Sequence, residues 1–382
     1  MINKTQLIKE VFSSEENVIK LRHHLHKIPE IALQEVKTSA FIRSILEENN
    51  IPYRCVDTGT IVDLDSDGSR ARIALRADID GLRITENTNL EYSSEHFGMM
   101  HACGHDCNAA MLLASAIIIK KHEEDLPGPV RLIFQPAEEA SGGAEKMIEA
   151  GCLEDVASIY CLHMNAHRQV GQFATKAGII HASSDGFIAR IIGKKAHASS
   201  PEAGIDAIVA TSAIIQSLQS LISREIGAFS NAVLTIGKIK GGTARNIVCG
   251  EVEFEGTLRT HDPQLRNYLK ERITDMIKTL AHSYKADASI EFVQSYCPCF
   301  NDEEATNSAI SMVKDLFGNE SIDILERGTM GGEDFGFYEQ LVPGCKLHLG
   351  TGCSEDIHTS TFRINEETLK YGVGFFCGLS FL

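Results

Sequence analysis

The run Val130-Arg-Leu-Ile-Phe-Gln-Pro-Ala-Glu-Glu139 sets the reading of the whole chain. A segment of strand length, apolar at Val130, Leu132, Ile133 and Phe134, stops at Pro136, and two glutamates follow at once. Similar short apolar runs lie on either side, Arg72 to Ile79 before it and Ser158 to His163 after it. The segments between them, Cys107 to Glu123 and Gly143 to Ala150, have helical character, and this alternation predicts an α/β layer with a largely parallel sheet. A helix from Glu303 to Phe317 and a strand from Lys346 to Leu349 resume the theme late in the chain. From Lys4 to about Glu48 apolar residues recur at helical spacing, broken near Pro29, so two helices are expected there.

The middle of the chain has a different rhythm. Gly186 to Gly193 reads as a strand, Ala203 to Arg224 as a helix, Ala232 to Lys240 and Ile247 to Thr260 as strands, Pro263 to Tyr284 as a helix and Ala288 to Ser295 as a strand. That order is β-α-β-β-α-β, the split ferredoxin-like unit. Leu265, Leu269, Ile273, Ile277 and Leu280 fall along one face of its second helix. A length of 382 residues suits two domains. The expected architecture is therefore an α/β catalytic domain made from residues 1–180 and 296–382, with a smaller α+β domain inserted over 181–295.

A formal charge of −16 with no basic patch argues against a nucleic-acid partner. The longest nearly apolar stretch, Ala109 to Ile119, is too short to span a bilayer, and charges interrupt the first ten residues before an apolar leader can form. Eleven cysteines without a C-x-x-C pair read as reduced thiols, and a cytoplasmic location is expected. Most of these cysteines should be small buried apolar residues. Cys103 is the exception.

In open α/β sheets, ligand-handling residues collect beyond the carboxyl ends of the strands. The first strand ends in Asp78 and Asp80, the next runs into Glu138 and Glu139, the third ends at His163, and His358 follows the last after a Gly-rich turn. The loop before the first helix of the layer adds His101-Ala-Cys103-Gly-His105-Asp106. Taken singly, each is weak, since a lone histidine or glutamate there is more often structural. Together, Cys103, His105, Glu139, His163 and His358 offer one thiolate, three imidazoles and one carboxylate. One catalytic zinc takes three protein ligands and a water, so this set suggests two metals sharing the thiolate or the carboxylate. A carboxylate committed to metal is a poor proton shuttle, which leaves that task to its neighbour Glu138.

These residues resemble the dinuclear-metal amidohydrolase family that includes hippurate hydrolases, N-acetyldiaminopimelate deacetylases, aminoacylases and the indole-acetyl-amino-acid hydrolases of plants. The resemblance runs from Leu21-Arg-His-His-Leu-His-Lys-Ile-Pro-Glu30 through Leu75-Arg-Ala-Asp-Ile-Asp-Gly-Leu82, Met100-His-Ala-Cys-Gly-His-Asp106 and Gln135-Pro-Ala-Glu-Glu139 to Gly242-Thr-Ala-Arg-Asn246 and Gly331-Gly-Glu-Asp-Phe335. It implies that Cys103, His105, Glu139, His163 and His358 are the metal ligands, with Cys103 bridging, and that Glu138 is the general acid/base. It further implies Asp78 and Asp106 as outer residues that orient ligands. The inserted domain is similar to the family's lid and dimerisation domain, so a homodimer is expected. Ala196-His197-Ala-Ser-Ser-Pro201 matches the motif that brings a histidine to the substrate carbonyl, and Asn246 and Arg245 are expected to contact substrate.

Three departures stand out. Cys107-Asn108 replaces a further histidine, Lys195-Ala196 replaces a Gly-Gly pair, and Cys249 stands where a proline is common. All three are expected near the substrate path, where they bear on substrate identity. The implied activity is hydrolysis of the amide bond of N-acyl amino acids by metal-activated water. The implied cofactor is two divalent ions per chain, zinc first and manganese, cobalt or nickel as alternatives. A dipeptidase using the same site is the second reading, and a non-enzymatic metal or thiol protein the third.

Overall fold

The computed structural model describes residues 2–64, 72–140 and 142–381. It divides into two compact units, one formed by Met1–Ile180, Phe300–Arg327 and Asp334–Leu382, the other by His181–Cys299 with Gly328–Glu333.

The first unit is built on an eight-stranded sheet in the order Tyr53–Val56, Gly59–Leu64, Val130–Gln135, Arg72–Asp78, Val156–Asn165, Gly344–Gly350, Phe173–Thr175, Ile322–Ile324. The four central strands, Val130–Gln135 through Gly344–Gly350, run parallel, and antiparallel pairings appear only toward the two sides. Every residue of Val130–Gln135 and of Gly344–Gly350 is buried, which is why these strands read as near-continuous apolar runs rather than alternating ones. Against them pack the helices His105–Lys121 and Leu369–Phe381, both apolar around most of their circumference. Burying each Leu, Ile, Val or Phe of this core contributes roughly 1.5–3 kcal/mol before chain entropy is subtracted.

The opening segment forms three helices, Lys4–Ser13, Glu15–Lys27 and Val36–Glu48, rather than the two expected. Asn3 caps the first through Gln6 N–H at 2.9 Å, and the chain turns at Ser14, where no proline or glycine announces a break. The Glu303–Phe317 helix has the expected bounds and a capping Asp302, whose carboxylate accepts Ala305 N–H at 2.9 Å.

The second unit carries a four-stranded antiparallel sheet in the order Ala232–Gly241, Glu251–Thr260, Ser183–Ile192, Asp287–Tyr296, with helices Ala207–Ser220 and Pro263–Ser283. The elements follow one another as β-α-β-β-α-β. Val252, Phe254 and Leu258 point into the core with Leu269, Ile273 and Ile277 of the second helix. Asp262 caps that helix ahead of Pro263, accepting Gln264 N–H at 2.7 Å. The single strand expected over 247–260 is divided: Ile247–Val248 pairs with Ala196–His197, and the main strand begins at Glu251.

Candidate metal centre and active site

The carboxyl ends of the four parallel strands bring the five expected ligands into one cluster. Cys103 Sγ lies 3.5 Å from His163 Nε2 and 3.2 Å from His358 Nε2. Glu139 Oε1 is 3.1 Å from His358 Nε2 and 4.0 Å from His105 Nε2. Two triplets, Cys103 with His105 and His163, and Cys103 with Glu139 and His358, each gather their ligand atoms within 4.8 Å of one another. Between them they use all five residues, and Cys103 belongs to both. The left-handed Gly104, φ 86°, makes this possible by turning the chain so that Cys103 and His105 both face the cluster. A Cβ at that position would meet Met164 Cγ at 2.9 Å.

Local bonds set which nitrogen each imidazole presents. His105 Nδ1 lies 3.0 Å from the Asp80 carbonyl and 3.1 Å from Asp80 Oδ1, and His163 Nδ1 lies 2.8 Å from the Met164 carbonyl. Each partner can only accept, so each Nδ1 carries a proton and each Nε2 is the nitrogen left to face the cluster. His105 Nε2 is buried and has no hydrogen-bond partner among the described residues. The loop bearing His358 is tied back by His358 N–H donating to Ala102 O at 2.7 Å, next to Cys103 in the chain.

The electrostatics suit a cation. Burial disfavours a charge on His105, yet Asp78, Cys103 and Asp80 outweigh it and raise the imidazole's pKa well above its ordinary value. Burial, with Glu139 beside it, pushes the Cys103 thiol well up. A buried cluster of negative groups around an imidazole nitrogen without a hydrogen-bond partner is a donor set that a divalent ion would satisfy, displacing the proton those groups otherwise favour.

Glu138 is buried, with Oε2 3.8 Å from His105 Nε2. Asp78 stands beside the cluster, 3.9 Å from His105 Nε2, accepting Arg76 Nη1 and Asn108 Nδ2, each at 2.7 Å. Arg76 also donates to Gln135 Oε1 at 2.8 Å and to Asp334 Oδ1 at 2.7 Å, so the Gly331-Gly-Glu-Asp-Phe335 motif reaches the site's foundation through Asp334. Asp106 instead accepts Arg22 Nε and His26 Nδ1, both at 2.8 Å, and pins the Glu15–Lys27 helix to the start of the His105–Lys121 helix. Burial works against its charge, but Arg22 and His26 prevail and hold the carboxyl far below the usual range.

Asp80, noted at the strand's end but given no role by the sequence, grips His105 on one oxygen and Glu139 N–H on the other at 3.0 Å. Its place two residues after Asp78, on the same side of the strand's end, was the available signal. Of the departures noted in the sequence, Cys107 and Asn108 are fully buried, directed at Asp106 and Asp78, so Asn108 bears on the site through Asp78.

The remaining candidates lie in the second unit. His197 and Asn246 are brought together where Ala198 N–H donates to Asn246 O at 3.0 Å, and with Arg245 they are exposed. His197 Nδ1 is 2.7 Å from Ser199 Oγ. Lys195 and Cys249 line a cavity of about 320 Å³ with Lys240 and the Gly241–Thr243 turn.

Fold and site together define a metal-dependent amidohydrolase. The profile of Peptidase family M20/M25/M40 matches residues 74–380, and the chain belongs to that family. It is 37% identical over 358 residues to the N-acetyl-L-cysteine deacetylase of Bacillus subtilis, covering 93% of this chain and 85% of the relative. It is 33% identical over 366 residues to the N-acetyldiaminopimelate deacetylase of Priestia megaterium, covering 94% and 96%. Among solved structures it is similar to the Bacillus subtilis YXEP protein, a dinuclear metal binding peptidase from the M20 family. The TM-score is 0.84 at 34% identity, covering 96% of this chain and 98% of that one.

Proposed function

We propose that this protein hydrolyses N-acyl amino acids, releasing a free amino acid and a carboxylic acid. The observation that carries the reading is the five-residue cluster centred on Cys103 with Glu138 at its edge. Cys103, His105 and His163 would hold one divalent ion and Cys103, Glu139 and His358 a second. A bound ion pair of this kind acts as a Lewis acid on a carbonyl and lowers the pKa of water. Glu138 takes the proton from the attacking water and returns it to the departing amine nitrogen. His197 donates an N–H to the developing oxyanion, and Asn246 and Arg245 hold the substrate's polar groups. Asp80 holds His105 from behind, Asp78 adds negative charge beside its Nε2, and Asp106 fixes the helix that starts there.

A thiolate beside imidazoles favours zinc. None of the eleven cysteines is in a disulfide, which supports a reducing, cytoplasmic setting. No helix among the described residues is long and apolar enough to cross a membrane. A peptidase reading is favoured by the family's name and by the similarity to the YXEP protein. The test is elemental analysis of the purified protein coupled to amine release from a panel of N-acetyl-L-cysteine, N-acetyldiaminopimelate, indole-acetyl amino acids and dipeptides. Two metals per chain and chelator-sensitive release from an acyl amino acid are expected. Release from dipeptides alone would transfer the assignment to the peptidase reading.

The second unit is assigned a dimerisation role. Its edge strand Ala232–Gly241 exposes Ile239, and the Ala207–Ser220 helix exposes Ile208 and Val209. An open strand edge beside apolar side chains is a surface that a second copy would cover. The double change Ile208→Asp with Ile239→Lys should convert a dimer to a monomer in sedimentation velocity, and an unchanged dimer would rule this surface out.

A further inference from the structure

A buried carboxylate outside the ligand set holds the backbone of the loop that carries Glu138. Glu35 is fully buried. It occupies the N-cap position of the Val36–Glu48 helix, yet its side chain does not cap that helix. Glu30 serves the first turn instead, accepting Thr38 N–H at 3.0 Å. Glu35 is directed elsewhere. Its Oε1 accepts the N–H of Ala137 at 2.9 Å and that of Leu33 at 2.9 Å, and its Oε2 accepts the hydroxyl of Thr58 at 2.7 Å.

Both amides belong to non-glycine residues in the left-handed region, φ 55° at Ala137 and 61° at Leu33. Such conformations persist only where surrounding bonds over-determine them. On the far side of Glu138, the N–H of Glu139 is held by Asp80 Oδ2 at 3.0 Å. Buried carboxylates therefore grip the amides on both sides of Glu138. The loop is also backed by Gly143, where a Cβ would stand 1.9 Å from Pro136 O, so it cannot settle toward the following helix.

We propose that Glu35 is a positioning residue for Glu138, holding Ala137 in its left-handed turn so that the Glu138 carboxylate stays at the edge of the cluster. Without an acceptor, the buried Ala137 N–H loses its bond and the turn relaxes toward negative φ. Glu138 Oε2, now 3.8 Å from His105 Nε2, would swing with it. A displacement near one ångström at a reacting group costs about 10²-fold in rate, with little effect on binding.

The inference rests on Glu138 being the proton carrier, and its test keeps the two apart. Amine release is followed on N-acetyl-L-cysteine, or on whichever panel member is cleaved fastest, with metal content and melting recorded for every variant. Glu35→Asp, too short to reach Ala137, should keep both metals and lower kcat about 10- to 100-fold with KM nearly unchanged. Glu35→Gln keeps an acceptor oxygen and should restore most of kcat. Adding Ala137→Gly to Glu35→Asp should recover activity several-fold, because glycine takes positive φ unaided. Full activity in Glu35→Asp beside an inactive Glu138→Gln would overturn this inference alone, as would a loss that tracks metal content or that glycine does not relieve. An active Glu138→Gln would instead remove the reading on which it stands.

Discussion

Glu138→Gln is expected to retain the full complement of metal and to lose about 10²- to 10⁴-fold in kcat, roughly 3–5 kcal/mol of barrier. The substitution is isosteric, and Glu138 belongs to neither of the triplets that contain Cys103, so the cluster has no reason to empty. An amide in that position can still accept or donate a hydrogen bond, but it cannot take a proton from water and pass it to a leaving amine. KM should change little, since the lost interaction is made in the transition state rather than with bound substrate. Glu139→Gln should behave differently. Its Oε1 faces both His358 and His105, so its loss should show first as lost metal and only then as lost rate. Elemental analysis and steady-state kinetics on the two variants separate the adjacent glutamates. Wild-type turnover in Glu138→Gln would remove it from the proton path.

What the sequence made legible follows from where information about this site is local. Val130–Gln135 and Gly344–Gly350 are buried throughout and the other two parallel strands over most of their length, so each appears as a short apolar run, and the proposed ligands Glu139, His163 and His358 lie at or beyond the ends of such runs. His163 and His358 are far apart in sequence, and each was readable because a strand precedes it. Residues that act through long-range bonds were not readable in this way. Glu35 sits before a helix like any N-terminal acid, and only the fold brings it to Ala137, 102 residues away. Arg76 looks like an ordinary strand residue, although it joins Asp78, Gln135 and Asp334 in one buried network. Cys107 and Asn108 adjoin the ligand loop, which places them near the site, but the way they face is not local information: helix periodicity turns them inward, onto Asp106 and Asp78. The break after Val248 was hidden for a related reason: Val248 and Cys249 are apolar and buried, so the pattern runs on although the pairing partner changes to Ala196–His197.

Cys103→Ala should have the other large effect, and through a different route. Its sulfur is the atom that both candidate triplets share, so on the proposed assignment removing it would take one donor from each ion rather than one from a single ion. Metal content should fall from two per chain to one or fewer, and hydrolysis by about 10³-fold or more, because the second ion contributes to the clamp on the attacking and leaving atoms. The fold should survive: Cys103 lies in a loop, while the neighbouring His105 and His163 keep their anchors on Asp80 and Met164 O. Cys103→Asp is the informative companion, since a carboxylate can also bridge two cations and should recover part of both metal content and rate. The thiol's position explains why a cysteine can serve here at all. Burial and Glu139 hold it protonated in the absence of a cation. Binding metal must therefore displace that proton, and uptake should release acid and grow tighter as pH rises. Titration calorimetry in buffers of differing ionisation enthalpy measures that release directly. A Cys103→Ala variant that still binds two ions would show that the shared ligand is Glu139.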